Sequence, residues 1–129
     1  MERKEINSFI RNIELFKGLS DSELEIVAAA ITTARYKEGE FLFSEHTPRE
    51  KIFLIYEGHI ELTKKTAIGR EQKLSYFSKF DFLGEGSLTD ESDHSTNARA
   101  TMPTTALLLD RKFFEENGSI SLKVFSNIA

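Results

Sequence analysis

The sequence predicts an α+β fold in which helices open the chain, short β-strands fill its middle and helices close it. Three observations predict this. Apolar residues recur at spacings of three and four over residues 6–31. From Thr32 to residue 109, runs rich in Phe, Ile, Leu, Tyr and Thr alternate with turn formers. Helical signals then return at Asp110. Several short strands at regular spacing make the middle a sandwich or a barrel.

Each element has its own signal. Ile6, Phe9, Ile10 and Ile13 lie on one helical face, and the pattern stops at Phe16-Lys17-Gly18, where glycine can take the left-handed cap. Ser20-Asp21-Ser22-Glu23 has the Ser-x-x-Glu form of a capping box. Leu24, Val27, Ala28 and Ile31 behind it give a second helix to about Ile31. Glu38-Gly39, Thr47-Pro48, Glu57-Gly58 and Ile68-Gly69 punctuate the middle. The resulting strands lie near 33–37, 40–44, 51–56, 59–65, 72–77, 96–101 and 105–109. Ile60 and Leu62 alternate with His59, Glu61 and Thr63, which places the first pair inward and the second set outward. Asp110 is the expected N-cap before Phe113 and Phe114, and Gly118 ends that turn. Ser119 caps a last segment carrying Ile120, Leu122, Val124, Phe125 and Ile128. The expected organisation is one domain over 1–129, with helices at about 6–31, sheet at about 32–109 and helices at about 110–129.

Composition narrows the function classes. A chain of 129 residues suits one hydrophobic core, and 40% hydrophobic residues with eleven Phe supply it. The formal net charge is −4 and the basic residues are scattered, so no nucleic-acid contact by this segment is expected. Without cysteine there is no disulfide scaffold, thiolate metal site or thiol nucleophile. The longest apolar segment, 24–31, is too short to span a bilayer, and no export signal is visible, so the expected location is the cytoplasm with no membrane partner. No nucleophile–base pair or Walker loop appears, so no enzyme activity is expected. The acids of 85–93 lack the alternating pattern of a calcium loop, and His46 and His59 lack metal-ligand spacing; both histidines read as surface residues, and no metal site is expected.

The least ordinary stretch runs from Phe80 to Arg99. Gly84 and Gly86 allow the backbone to approach a ligand, and a short helical turn beginning near Glu85 would aim N–H groups at an anion. Ser87, Ser95 and Thr96 add hydroxyl donors. Such a pocket suits one phosphate and one ribose, with Glu85 accepting from a sugar hydroxyl.

Leu83-Gly84-Glu85-Gly86-Ser87-Leu88 followed by Asp93-His94-Ser95-Thr96-Asn97-Ala98 resembles the phosphate-binding cassette of the cyclic-nucleotide-binding domains. That cassette has the form Phe-Gly-Glu-Leu-Ala-Leu, a loop, then Pro-Arg-Ala-Ala-Thr-Val. The order of the other motifs agrees. Leu15-Phe16-Lys17-Gly18-Leu19-Ser20 resembles the family's helical entry, Lys37-Glu38-Gly39-Glu40-Phe41-Leu42-Phe43 its first hairpin, and Phe53-Leu54-Ile55-Tyr56-Glu57-Gly58-His59-Ile60-Glu61-Leu62 its central strands. Leu109-Asp110-Arg111-Lys112-Phe113-Phe114 resembles the exit into the helix behind the barrel.

The resemblance implies an eight-stranded antiparallel β-roll of jelly-roll type flanked by N- and C-terminal helices, acting as a regulatory sensor. The implied ligand is cyclic AMP or cyclic GMP, with no other cofactor. The implied partners are an effector protein or tethered domain, and a homodimer is open to it. Leu83, Gly84, Glu85, Gly86, Ser87, His94, Ser95 and Thr96 form the expected ligand set, with Glu85 on the ribose hydroxyl.

One departure stands out: His94 occupies the position where the family places its phosphate-binding arginine. A histidine offers one donor and is mostly neutral at pH 7, whereas arginine offers a permanent charge and a planar fork. Glu85, Asp90, Glu91 and Asp93 also surround the incoming anion with like charge. Arg99 matches the parity of Asn97 and Thr101 and is a poor substitute. Gly86 replaces an aliphatic residue and Asp93 a proline; Ser95, after the arginine position, carries the family's weak hint of guanine. The competing expectation is a degenerate roll that serves as an interaction or dimerisation module without nucleotide.

Overall fold

The computed structural model describes residues 1–88 and 92–128. Eight antiparallel strands form two four-stranded sheets, and helices from both ends of the chain pack on one of them. The α+β class and the eight-stranded roll expected from the sequence are both present.

Helix α1 (Arg3–Ile10) stops before Ile13, and Glu14–Phe16 form a separate 3₁₀ turn. The expected single helix is therefore broken. Ile13 is extended at φ −89° and ψ 123°, which redirects the chain so that Leu15 and Phe16 are also buried. Gly18 has φ +90°, the left-handed conformation its position called for. Helix α2 (Asp21–Ala30) carries both bonds of the capping box: the Glu23 N–H donates to Ser20 Oγ at 3.2 Å, and the Ser20 N–H donates to Glu23 Oε1 at 2.8 Å.

The strands are β1 (Thr32–Tyr36), β2 (Phe41–Phe43), β3 (Lys51–Glu57), β4 (His59–Lys65), β5 (Glu71–Ser78), β6 (Phe82–Leu83), β7 (Asn97–Ala100) and β8 (Thr104–Asp110). One sheet has the order β1-β8-β3-β6 and the other β2-β7-β4-β5. β6 was not separately legible: two residues give no alternation to read. It is fixed by pairing with β3, Phe53 opposite Leu83.

β3 and β8 lie between two hydrophobic clusters. Ile52, Leu54, Leu107 and Leu109 face the helices, while Phe53, Ile55, Ala106 and Leu108 face the roll interior. Burial on both faces explains why Ile52-Phe53-Leu54-Ile55 and Ala106-Leu107-Leu108-Leu109 are continuous apolar runs.

β4 corrects a simple alternation. Ile60 is buried as expected, yet Glu61 and Thr63 on the opposite face are also buried. β4 is internal to its sheet, and the long side chains of its neighbours cover that face: Arg99 on β7 and Lys73 on β5 approach Glu61 at 3.4 and 3.8 Å.

Helix α3 (Arg111–Glu116) has Asp110 at its N-cap, but the aspartate makes no cap bond and sits 4.0 Å from Lys51. Helix α4 (Gly118–Ile128) begins before Ser119, so that serine lies inside the helix and does not cap it. Asn117 and Ser121 make the junction instead: the Ser121 N–H donates to the Asn117 carbonyl at 3.0 Å, and Ser121 Oγ donates to the Phe114 carbonyl. Among the described residues no helix is long and apolar enough to cross a membrane.

Candidate functional site

The stretch after β6 turns inward because of one glycine. Gly84 has φ +85°, and a Cβ there would stand 2.7 Å from the Lys51 carbonyl oxygen and 3.2 Å from Phe53 Cδ1. Backbone conformation and space both demand glycine at that point. The 3₁₀ turn Glu85–Leu88 follows, closed by the Ser87 N–H donating to the Gly84 carbonyl at 3.0 Å. That amide is thus already engaged within the turn.

The opposite wall is pinned with equal care. The His94 N–H donates to the Thr47 carbonyl at 2.8 Å, and the His46 N–H donates to the His94 carbonyl at 2.9 Å. Pro48 and Asp93 form a β-bridge beside them. Glu45 and Asn97 exchange two bonds, the Glu45 N–H to Asn97 Oδ1 at 2.8 Å and Asn97 Nδ2 to Glu45 Oε2 at 2.9 Å. The start of β7 is therefore locked to the segment leaving β2.

Between these walls lies a cavity of about 200 Å³ bordered by Leu83, Gly84, Glu85, Gly86, His94 and Thr96, with Phe43, Leu62 and Phe77 behind them and Arg49 at the edge. A second concavity of about 410 Å³ opens on the other side of Phe43 and His94, toward Tyr36, Phe41, Ser44 and Lys51. The two rings stand between the spaces: their centroids are 3.8 Å apart and their planes differ by 9°. His94 is only 6% exposed, a wall of the pocket and not a solvated loop residue. Burial holds its pKa below the ordinary histidine value, and the nearby Arg49 charge pushes the same way against a smaller opposing effect of Asp93.

Six of the eight expected site residues thus border one cavity: Leu83, Gly84, Glu85, Gly86, His94 and Thr96. Ser95 is exposed and does not border it. Ser87 is fully buried outside the lining, and its Oγ has no hydrogen-bond partner among the described residues. Arg99 is turned to the outer face, where it pairs with Glu61. Of the acids read around the pocket, Asp90 and Glu91 lie outside the described residues. Four lining residues were not in the expected set: Phe43, Arg49, Leu62 and Phe77. Phe43 was visible only as a strand residue, and Arg49 stands 34 positions before Leu83, where the cassette begins, with no local signal to connect them. His59 also differs from its expected surface role: it is half-buried, with Nδ1 2.6 Å from Thr101 Oγ1. Among the described residues no cluster of metal-ligating side chains occurs.

The family model of the cyclic nucleotide-binding domain matches residues 33–117, more than half of the chain. The chain belongs to the cyclic nucleotide-binding domain family. Among its relatives, the cGMP-dependent protein kinase isozyme 1 of Drosophila melanogaster is 29% identical over 111 residues, which are 84% of this chain and 14% of the kinase. A CRP-like cAMP-activated global transcriptional regulator of Mycobacterium tuberculosis is 23% identical over 97 residues, 75% of this chain and 43% of the regulator. The regulatory subunit of a cAMP-independent protein kinase A from Trypanosoma cruzi, solved bound to guanosine, has the same fold. It superposes with a TM-score of 0.86 over 96% of this chain and 44% of its own, at 23% identity. The chain spans less than half the length of each of these proteins.

Proposed function

We propose that residues 1–129 form one cytoplasmic regulatory domain that holds cyclic AMP or cyclic GMP in the smaller cavity and passes its occupancy to an effector protein or tethered domain. The observation that carries this reading is the convergence of Gly84, Glu85, His94 and Thr96 on a single cavity in a member of this family. That the fly relative is a cGMP-dependent kinase and the mycobacterial one a cAMP-activated regulator supports the same ligand class. Glu85 is the residue assigned to the ribose hydroxyl, as an acceptor-only carboxylate suits that task. The domain binds and relays; it performs no catalysis, contacts no nucleic acid itself and needs no metal.

The route of the relay starts at the 3₁₀ turn that carries Glu85. This turn packs against β3 and α3, and its Leu88 joins the cluster that contains Phe114. Phe113 and Phe114 meet edge to face with centroids 5.2 Å apart. From α3 the chain passes directly into α4, which is tied to the other end of the molecule. Asn127 Nδ2 donates to the carbonyls of Leu15 and Lys17, both at 2.8 Å, and Lys123 pairs with Glu23 at 2.6 Å. A shift of the turn would therefore be felt by both terminal helical segments together.

Calorimetric titration of the folded chain with cyclic AMP, cyclic GMP and guanosine tests the reading; guanosine is included because the Trypanosoma cruzi relative was solved with it. Saturable heat with a cyclic nucleotide at or below ~1 mM is expected. A folded sample that gives no heat with any of the three ends the claim of direct sensing. One observation favours a second reading, a module for partner binding or self-association: the stacked pair Phe43 and His94 stands in the concavity where the family places a phosphate-binding arginine. Titration separates the two, since the second reading requires silence from all three ligands.

A further inference from the structure

His94 and Gly86 are both departures from the cassette pattern, and in space they have a common neighbour. Arg49 belongs to the segment between β2 and β3, yet its guanidinium lies over Gly86: a Cβ on that glycine would fall 2.6 Å from Arg49 Nη1 and 3.3 Å from its Cζ. Gly86 has no need of glycine for a positive φ, as Gly84 has. The absence of a side chain at 86 is what accommodates the guanidinium. The aliphatic residue usual at that cassette position would occupy the same space.

The base of this arm is anchored. Pro48 is bridged to Asp93, the Arg49 carbonyl accepts from Arg111 Nη1 at 3.4 Å, and the Glu50 carbonyl accepts from the Arg111 N–H at 2.8 Å. Arg49 also borders the cassette cavity, and it carries the one permanent positive charge among the described residues that do so. Its charge is felt at His94, which borders the same space.

We propose that Arg49 is the cation that pairs with the anionic group of the ligand, supplied from outside the cassette and seated by Gly86. This rests on the reading of the cavity as a nucleotide site and adds to it the residue that recognises the phosphate. Arginine is suited to the task because its planar fork spans two phosphate oxygens. Any acidic partner that Arg49 holds in the empty pocket is exchanged for the phosphate on binding. His94, buried and held toward its neutral form, then packs and leaves the charge to Arg49.

The test compares cyclic AMP and cyclic GMP with adenosine and guanosine, which lack the phosphate, in calorimetric titrations of the wild-type chain and of Arg49→Ala, Arg49→Lys and Gly86→Leu. Circular dichroism and thermal melting establish that each variant is folded. Arg49→Ala should weaken the cyclic nucleotides by roughly tenfold to a hundredfold and leave the nucleosides within about twofold. Arg49→Lys should recover part of the loss, because a point charge replaces the fork. Gly86→Leu, which keeps the arginine but displaces it, should reproduce the loss and keeps the test open if Arg49→Ala does not fold. Cyclic nucleotides bound equally by wild type, Arg49→Ala and Gly86→Leu would overturn this inference and leave the nucleotide site standing. Equal losses for nucleosides and cyclic nucleotides would also overturn it, by making Arg49 structural. A wild-type chain that binds none of the four ligands would overturn both.

Discussion

The substitution His94→Arg restores the residue type of the cassette at a position where the structure allows its consequences to be worked out. A charge-assisted bidentate contact with a phosphate contributes about 1.5–3 kcal/mol. The His94–Phe43 stack, a close parallel contact at 3.8 Å and 9°, is lost from the empty and the bound variant alike, so its loss lowers stability and not affinity. A guanidinium also stacks on an aromatic face and recovers part of that loss. The gain in binding is therefore about 1.5–3 kcal/mol, or roughly ten- to 150-fold in Kd for a cyclic nucleotide. The empty protein should meanwhile lose stability. The site already disfavours a charged imidazole, through burial and through Arg49, and a guanidinium cannot shed its proton. Calorimetric titration at pH 7 and thermal melts with and without ligand measure both effects. Tighter binding with a lower melting temperature of the empty form is the expected pair. An unchanged Kd in a folded variant would refute the reasoning, because it would mean that side chains at 94 do not reach the bound anion.

Other perturbations read other parts of the molecule. Ser87→Ala removes a fully buried hydroxyl that has no partner among the described residues, so urea unfolding should show a gain of about 1 kcal/mol with ligand affinity unchanged. Leu54→Ala empties a fully buried position between β3 and the helices and should cost about 2–5 kcal/mol in the same assay. Ser20→Ala removes the hydroxyl half of the capping box and should cost about 0.5–2 kcal/mol. For pH, the folded chain holds the His94 pKa below 6.5, so the unfolded chain binds more protons in the window just under that value. Stability should therefore rise with pH through that window and fall on acidification; His94→Phe, which keeps a ring on Phe43, should lose this component of the slope when unfolding is measured between pH 5 and 7.

Much of this arrangement was legible because local signals and tertiary demands coincide. The capping box at Ser20 and Glu23, the left-handed Gly18 and the turn glycines Gly39, Gly58 and Gly69, all at positive φ, stand where the sequence placed them. The cassette was legible for the same reason: the left-handed turn at Gly84 coincides with the close approach of β3, and its neighbours keep a recognisable order. What failed to read locally was anything decided by distant chain segments. Glu61 looked like a solvent-facing residue because alternation knows nothing of Arg99 and Lys73 lying over it. The burial of His94 is likewise set from afar, by Phe43 some fifty residues earlier lying flat against it. Arg49 gave no sign at all, since its partner in space, Gly86, is informative only as an absence of side chain.

The two-sided burial of β3 and β8 bears on how the site communicates. Their inner residues Phe53 and Leu108 face the roll, and their outer neighbours Leu54, Leu107 and Leu109 carry the helices. The Phe53 ring also stands 3.2 Å from the place of a Gly84 Cβ. A close-packed interior resists small adjustments of one layer alone. A ligand that moved the 3₁₀ turn would therefore meet little compliance in β3, and the other neighbours of the turn are Leu88's contacts with the cluster that holds Phe114, next to the passage from α3 into α4. Under the proposed sensing function the strands would be the fixed frame and the short helices the part free to move. On the proposed function, transmission would run through α3 and α4, which meet at Asn117, where the backbone leaves helical geometry at φ −131° and ψ 71°; bonds from Asn117 and Ser121 to Phe113 and Phe114 hold the two helices together there, so they would shift as a pair.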